Sequence, residues 1–143
     1  MSDLRRFVVA QEQGYAAALF ELTNGQKTSH WIWYIFPQLK ELGCSPKAKH
    51  FGLNDILEAR DYTGHPLLGP RYLECCKALL LHHDKPVEAI MGGWIDKQKL
   101  RSSLTLMIAA GVGDVAECCL KNFYRDATCE LTERILKSAH EPD

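Results

Sequence analysis

No run of lysine or arginine occurs in these 143 residues, and the formal net charge is −1. The basic footprint that nucleic-acid binding needs is therefore missing. No segment approaches the roughly 20 apolar residues of a membrane-spanning helix; the longest apolar-rich stretch, Leu104 to Val112, is far too short. Met1-Ser2-Asp3-Leu4-Arg5-Arg6 is too brief and too mixed to open a signal peptide, so a cytoplasmic protein is expected, without membrane or nucleic-acid partners. No C-x-x-C pair occurs among Cys44, Cys75, Cys76, Cys118, Cys119 and Cys129. Adjacent cysteines point in different directions on a helix, so neither doublet is half of a zinc site. The expectation is small buried residues in a reducing compartment, with no metal and no cofactor. Alternating strand patterns with hairpin turns are absent, as are G-x-S-x-G, the P-loop and G-x-G-x-x-G.

What is present is helical periodicity almost throughout. Val8, Tyr15, Ala18, Leu19 and Leu22 recur along a first helix from about Asp3 to Thr23, capped by Ser2 or Asp3 and stopped by Asn24-Gly25. A short helix from about Ser29 ends near Pro37, Pro46 opens a small one, and Asn54-Asp55 caps another through Tyr62. After the Gly64-His65-Pro66 turn, a helix begins at Pro66 or Pro70, with Tyr72, Cys76, Leu79, Leu80 and His83 on one face. Pro86 to Ile90 makes a turn or two, closed by Gly92-Gly93. Leu100, Leu104, Met107 and Ile108 stripe a helix from Asp96 to about Ala110. The last helices run from Val115 to Tyr124 and from Thr128 to His140, the latter capped by Thr128 or Asp126, with Leu131, Ile135 and Leu136 facing inward. The fold class read from this pattern is all-α: residues 1–143 form a single domain, one compact orthogonal bundle of about seven helices.

The richest stretch is Lys27-Thr28-Ser29-His30-Trp31-Ile32-Trp33-Tyr34-Ile35-Phe36-Pro37-Gln38. Here two of the three tryptophans stand beside a His, a Tyr and a Phe. Aromatic rings fill a core or stack on planar ligands, and polar neighbours need partners if buried. On a helix His30, Trp33, Tyr34 and Pro37 share one side and Trp31, Ile35 and Gln38 another, so the segment is buried or lines a cavity. The plainer reading makes the rings core and gives His30 a backbone carbonyl. A second group, Asp96, Lys99, Ser102 and Ser103 with Thr105 at the flank, lies opposite the Leu100 stripe. It is either an anion site with Lys99 or Arg101 as cation, or an Asp96–Lys99 pair on a solvated face. His65 and Arg71 flank a helix start that suits an anion; Arg71 is otherwise a surface residue or a partner of Asp61. His82-His83 and His140 read as solvent-facing.

Several stretches carry a family resemblance. Arg6-Phe7-Val8-Val9-Ala10-Gln11, the Lys27–Gln38 run, Glu58-Ala59-Arg60-Asp61-Tyr62, His65-Pro66-Leu67-Leu68-Gly69-Pro70-Arg71 and Asp96-Lys97-Gln98-Lys99-Leu100-Arg101-Ser102-Ser103-Leu104-Thr105-Leu106 resemble, in order, the motifs of a family of small bacterial and fungal proteins, domain of unknown function 1810. The resemblance covers nearly the whole chain and implies a compact helical cytosolic protein. A weaker similarity is to the NADAR group, helical proteins tied to ADP-ribose-type N-glycosidic chemistry, whose His-aromatic-aromatic-Gln segment is similar to His30-Trp31 followed by Gln38. The chain departs from that group at Ser29, where the group has Glu, and at Gly92-Gly93 before Trp94, where its acidic residue is missing. A glycosidase needs such carboxylates.

Two functions follow as expectations. One is a pocket between the aromatic helix and the Asp96–Thr105 helix for a small anionic, nucleotide-like or ADP-ribose-like ligand. In it His30 acts as acid, base or donor, Trp33 stacks, Gln38 orients, and Lys27 and Lys99 neutralise charge, with Ser29, Ser102, His65 and Arg71 as further ligand-binding candidates. The other is a non-catalytic protein-interaction module whose aromatic cluster is purely structural.

Overall fold

The helical periodicity resolves into nine helices among residues 2–140, which the computed structural model describes. They are α1 (Arg5–Thr23), α2 (Ile32–Ile35), α3 (Pro46–Phe51), α4 (Ile56–Gly64), α5 (Leu68–Leu80), α6 (Val87–Met91), α7 (Trp94–Ala109), α8 (Asp114–Tyr124) and α9 (Glu130–His140), with a 3-10 turn at Lys40–Leu42. The described residues form no strand; one parallel bridge joins Leu39 and Leu53. None of these helices is long and apolar enough to cross a membrane.

Local chemistry sets several boundaries. Ser45 accepts the Ala48 amide proton at the start of α3, and Asp55 accepts that of Glu58 at the start of α4. α5 begins at Leu68 because His65 Nδ1 accepts the amide protons of Leu67 and Leu68. Gly92, with φ +83°, closes α6 in the left-handed region that glycine tolerates.

α7 is the centre of the packing, touching α2, α4, α6, α8 and α9, while α1 lies along α5 and α2. This placement corrects the solvated face expected for α7. Ser102, Ser103 and Thr105 are buried with Leu100, Leu104 and Met107, because neighbours surround the helix on most sides. Small hydroxyl side chains suit that position: the Ser103 hydroxyl meets Tyr72 Oη at 2.9 Å, and Thr105 Oγ1 donates to the Arg101 carbonyl.

Other expectations change too. Leu131 is 57% exposed rather than inward, leaving Ile135 and Leu136 to anchor α9. Cys129 directly precedes α9, one residue past the expected cap Thr128 and three past Asp126. His82 is half-buried, its ring nitrogen 2.8 Å from the Thr23 carbonyl and its ring packed against Gly25. Four cysteines are buried as expected, but Cys44 and Cys118 are exposed. The segment from Lys40 to Gly52 leaves and rejoins the body at one point. Lys40 donates its amide proton to the Leu53 carbonyl at 2.8 Å, and Leu53 donates to that of Gln38 at 2.9 Å. Gly52 lies so close to Lys40 that a Cβ there would sit 2.3 Å from the Lys40 Cα.

Candidate functional site

The short helix of the aromatic run starts at Ile32, later than the expected Ser29, and the residues before it are held by Glu21. This buried carboxylate on α1 accepts the amide protons of Thr28 (2.7 Å) and Ser29 (2.8 Å), the Ser29 hydroxyl (2.7 Å) and the Trp31 indole N–H (3.0 Å). These bonds hold the chain from Thr28 to Trp31 against α1, and α2 starts at Ile32. Burial pushes the Glu21 carboxyl up, but the hydrogen bonds from Ser29, Thr28 and Trp31 outweigh it and hold it down at about 2.

Lys27 belongs to the same anchor. Its ammonium is nearly buried, pairs with Asp96 at 2.8 Å and lies 5.1 Å from the centre of the Trp31 ring, while its amide bonds the Ile90 carbonyl. The pair expected within α7 is thus made across the fold: Asp96 faces Lys27, not Lys99.

Beyond this anchor the chain presents Trp33. Its half-buried ring lies against a hollow lined by Ile32, Phe36, Gln38, Ala48, Phe51 and Lys99. Two ammonium groups approach the indole, Lys47 at 5.0 Å and Lys99 at 5.2 Å from the ring centre, within the range of cation–π attraction. Neither is in an ion pair among the described residues. The indole Nε1 is buried without a hydrogen-bond partner among them. The hollow is narrow, with a cavity volume of about 10 Å³, room for one water molecule.

Of the sequence candidates, Trp33, Gln38 and Lys99 meet at this hollow. The others stand elsewhere. His30 is exposed and outside the lining, because the chain before Ile32 is not helical. Ser29 is engaged by Glu21. His65 caps α5, and with Nδ1 accepting, its ring proton sits on Nε2. Arg71 lies 4.4 Å over the Tyr15 ring, with Gln11 Oε1 at 3.4 Å and no contact to Asp61. Ser102 is buried, its hydroxyl 3.1 Å from the Gln98 carbonyl and 3.3 Å from Cys129 Sγ. Burial raises the Cys129 thiol, but hydrogen bonds from Ser102 and Thr132 bring it net below its ordinary value.

Sequence reasoning missed Lys47 and Glu21. Nothing in Pro46-Lys47-Ala48-Lys49-His50 separates Lys47 from a solvated lysine. Glu21 carried one signal, a charged residue between Ala18 and Leu22 on the apolar spacing of α1. No group of three or more His, Cys, Asp or Glu side chains among the described residues is placed to hold a metal ion.

A family model described as a protein of unknown function, DUF1810, matches residues 1–136. The chain belongs to the DUF1810 family. A solved structure agrees with this: the conserved hypothetical protein Rv1873 from Mycobacterium tuberculosis, determined at 1.38 Å, is 38% identical. The likeness covers 94% of this chain and 96% of that one, with a TM-score of 0.91. No curated protein matches the chain. Family membership therefore accounts for the helical architecture, and the chemistry has to be read from the side chains.

Proposed function

We propose that this protein binds a small anionic molecule at the mouth of the hollow beside Trp33. The observation that carries the reading is a pair of ammonium groups, Lys47 and Lys99, that approach one indole ring and have no carboxylate partner among the described residues. Two unneutralised cations at one ring favour an occupant rich in acceptors. Gln38 supplies a further donor at the wall. The hollow itself has room for one water molecule, so the ligand, nucleotide-like or otherwise, lies at its mouth against the Trp33 ring and the two ammonium groups. His30 takes no part in this binding.

The experiment is a thermal-shift and calorimetric panel of anions on the native chain and on Lys99→Met, which keeps a long side chain but deletes the charge. A bound anion raises the melting temperature, and Lys99→Met weakens that binding about tenfold. A Lys99→Met protein that binds every anion as well as the parent removes Lys99 from the site, and no shift with any anion ends the reading.

The interaction-module reading has its own support in Trp94 and Ile95, 68% and 67% exposed side by side at the start of α7. Adjacent exposed apolar side chains mark contact surfaces. Its measurement is sedimentation at rising concentration: a monomer unchanged by Trp94→Ala gives no support to self-association there.

A further inference from the structure

We infer that Cys129 is a site of oxidation, its sulfur held between α7 and α9 as a nucleophile toward a small hydroperoxide. The residue stands immediately before α9, where the first amides of a helix offer unpaired N–H groups and a partial positive charge. Its own amide donates to Thr105 Oγ1 at 2.9 Å, which fixes it against α7. Two hydroxyl groups from different helices then meet the sulfur. Ser102 on α7 brings its Oγ to 3.3 Å. Thr132, on the first turn of α9, lies beside the same atom and is fully buried.

Thr132 is the decisive side chain. Its hydroxyl has no oxygen or nitrogen partner among the described residues, a costly condition for a buried donor. A neutral thiol is a weak acceptor, whereas a thiolate takes several donors at once. With the sulfur ionised, Thr132 gains its acceptor, and Ser102 turns its proton from the Gln98 carbonyl, 3.1 Å away, toward the sulfur. The amides of Leu131 and Thr132 add to the set, and these bonds together outweigh burial and leave the thiol net below its ordinary value. Other buried thiols are driven the opposite way: burial pushes Cys75 up to about 12, and a hydrogen bond with Cys119, together with burial, raises Cys76. Cys129 also keeps the most open surface of the buried cysteines, 9% against 1% for Cys75 and none for Cys76 and Cys119. The sulfur lone pair attacks the peroxide oxygen that carries hydrogen. An S–O bond forms as the O–O bond breaks, and the second oxygen leaves with the bonding pair and is protonated from water. Sulfur is thereby oxidised by two electrons to a sulfenic acid, the reversible first rung of cysteine oxidation, and the peroxide is reduced.

The full chain is exposed to a small excess of hydrogen peroxide, quenched with catalase and unfolded in dimedone, which adds to sulfenic acids. Peptide mass spectrometry then reads each cysteine. Cys129 takes up the label at least about tenfold faster than the exposed Cys44 and Cys118. Thr132→Val keeps the shape and deletes the hydroxyl, and Ser102→Ala removes the second donor. Each slows labelling of Cys129 about tenfold and leaves Cys44 and Cys118 unchanged in the same molecules. A Thr132→Val chain that fails to fold leaves Ser102→Ala to decide. Labelling of Cys44 or Cys118 ahead of Cys129 overturns the inference, as does a Cys129 that reacts in folded variants as fast as in the parent.

Discussion

Glu21 shows how a single residue redirects a stretch of chain. Four donors around one carboxylate hold residues 28–31 against α1, directly ahead of the start of α2 at Ile32. Its carboxyl is held from an ordinary 4.5 down to about 2. Stability from a lowered carboxyl is fully present above its unfolded pKa and is lost as pH falls through the folded one. Glu21→Gln, which puts an NH₂ where donors already point, should cost about 2–4 kcal/mol at pH 7. The gap between variant and parent should narrow between pH 4.5 and 2. Urea melts at pH 7, 4 and 2.5 measure it, and a gap that does not depend on pH would show that the carboxylate charge contributes nothing. None of this was legible before the fold was known, because the donors lie seven to ten residues beyond Glu21 and no local pattern joins them. Lys27 and Ser29 looked like ligand contacts for the same reason: their partners, Asp96 and Glu21, are supplied by other helices.

Among the elements, the joint between α4 and α5 depends on close approach. A Cβ on Gly69 would sit 2.2 Å from the Thr63 carbonyl oxygen, a backbone atom that cannot swing aside. Gly69→Ala should therefore cost about 3 kcal/mol or more, lowering the melting temperature by about 10 °C; calorimetry reads this, and a loss under a degree would mean that the joint has slack. Removing the α4 cap with Asp55→Ala is milder, about 1 kcal/mol, and a urea titration measures it. Helix existence was readable at this scale because Pro46, Asp55, Gly92 and the apolar stripes act locally. Burial was less so. Ser102, Ser103 and Thr105 looked like a polar face, yet periodicity cannot reveal that α7 is enclosed by several neighbours. Leu131 misled in the opposite direction, since an apolar residue at the right spacing still needs a neighbour to cover it.

For the molecule as a whole, the helical class followed from periodicity, and the likeness to the Mycobacterium tuberculosis protein agrees with it. The meeting of Trp33 with Lys99 depends on α2 packing against α7, which no single stretch of sequence encodes. Global packing also governs the thiols. Ellman's reagent should titrate Cys44 and Cys118 rapidly in the native protein, and all six cysteines after unfolding in guanidinium. Rapid native reaction of Cys75, Cys76 or Cys119 would show that α5 and α8, which carry them, separate readily. The paired amides of Lys40 and Leu53 have a longer consequence. The excursion that carries Lys47 closes on itself at its base, and Phe51 near its end packs on Phe7 and Tyr34. The loop is thus tethered at its stem and along its return, and Lys47 is held near Trp33 by the backbone that carries it.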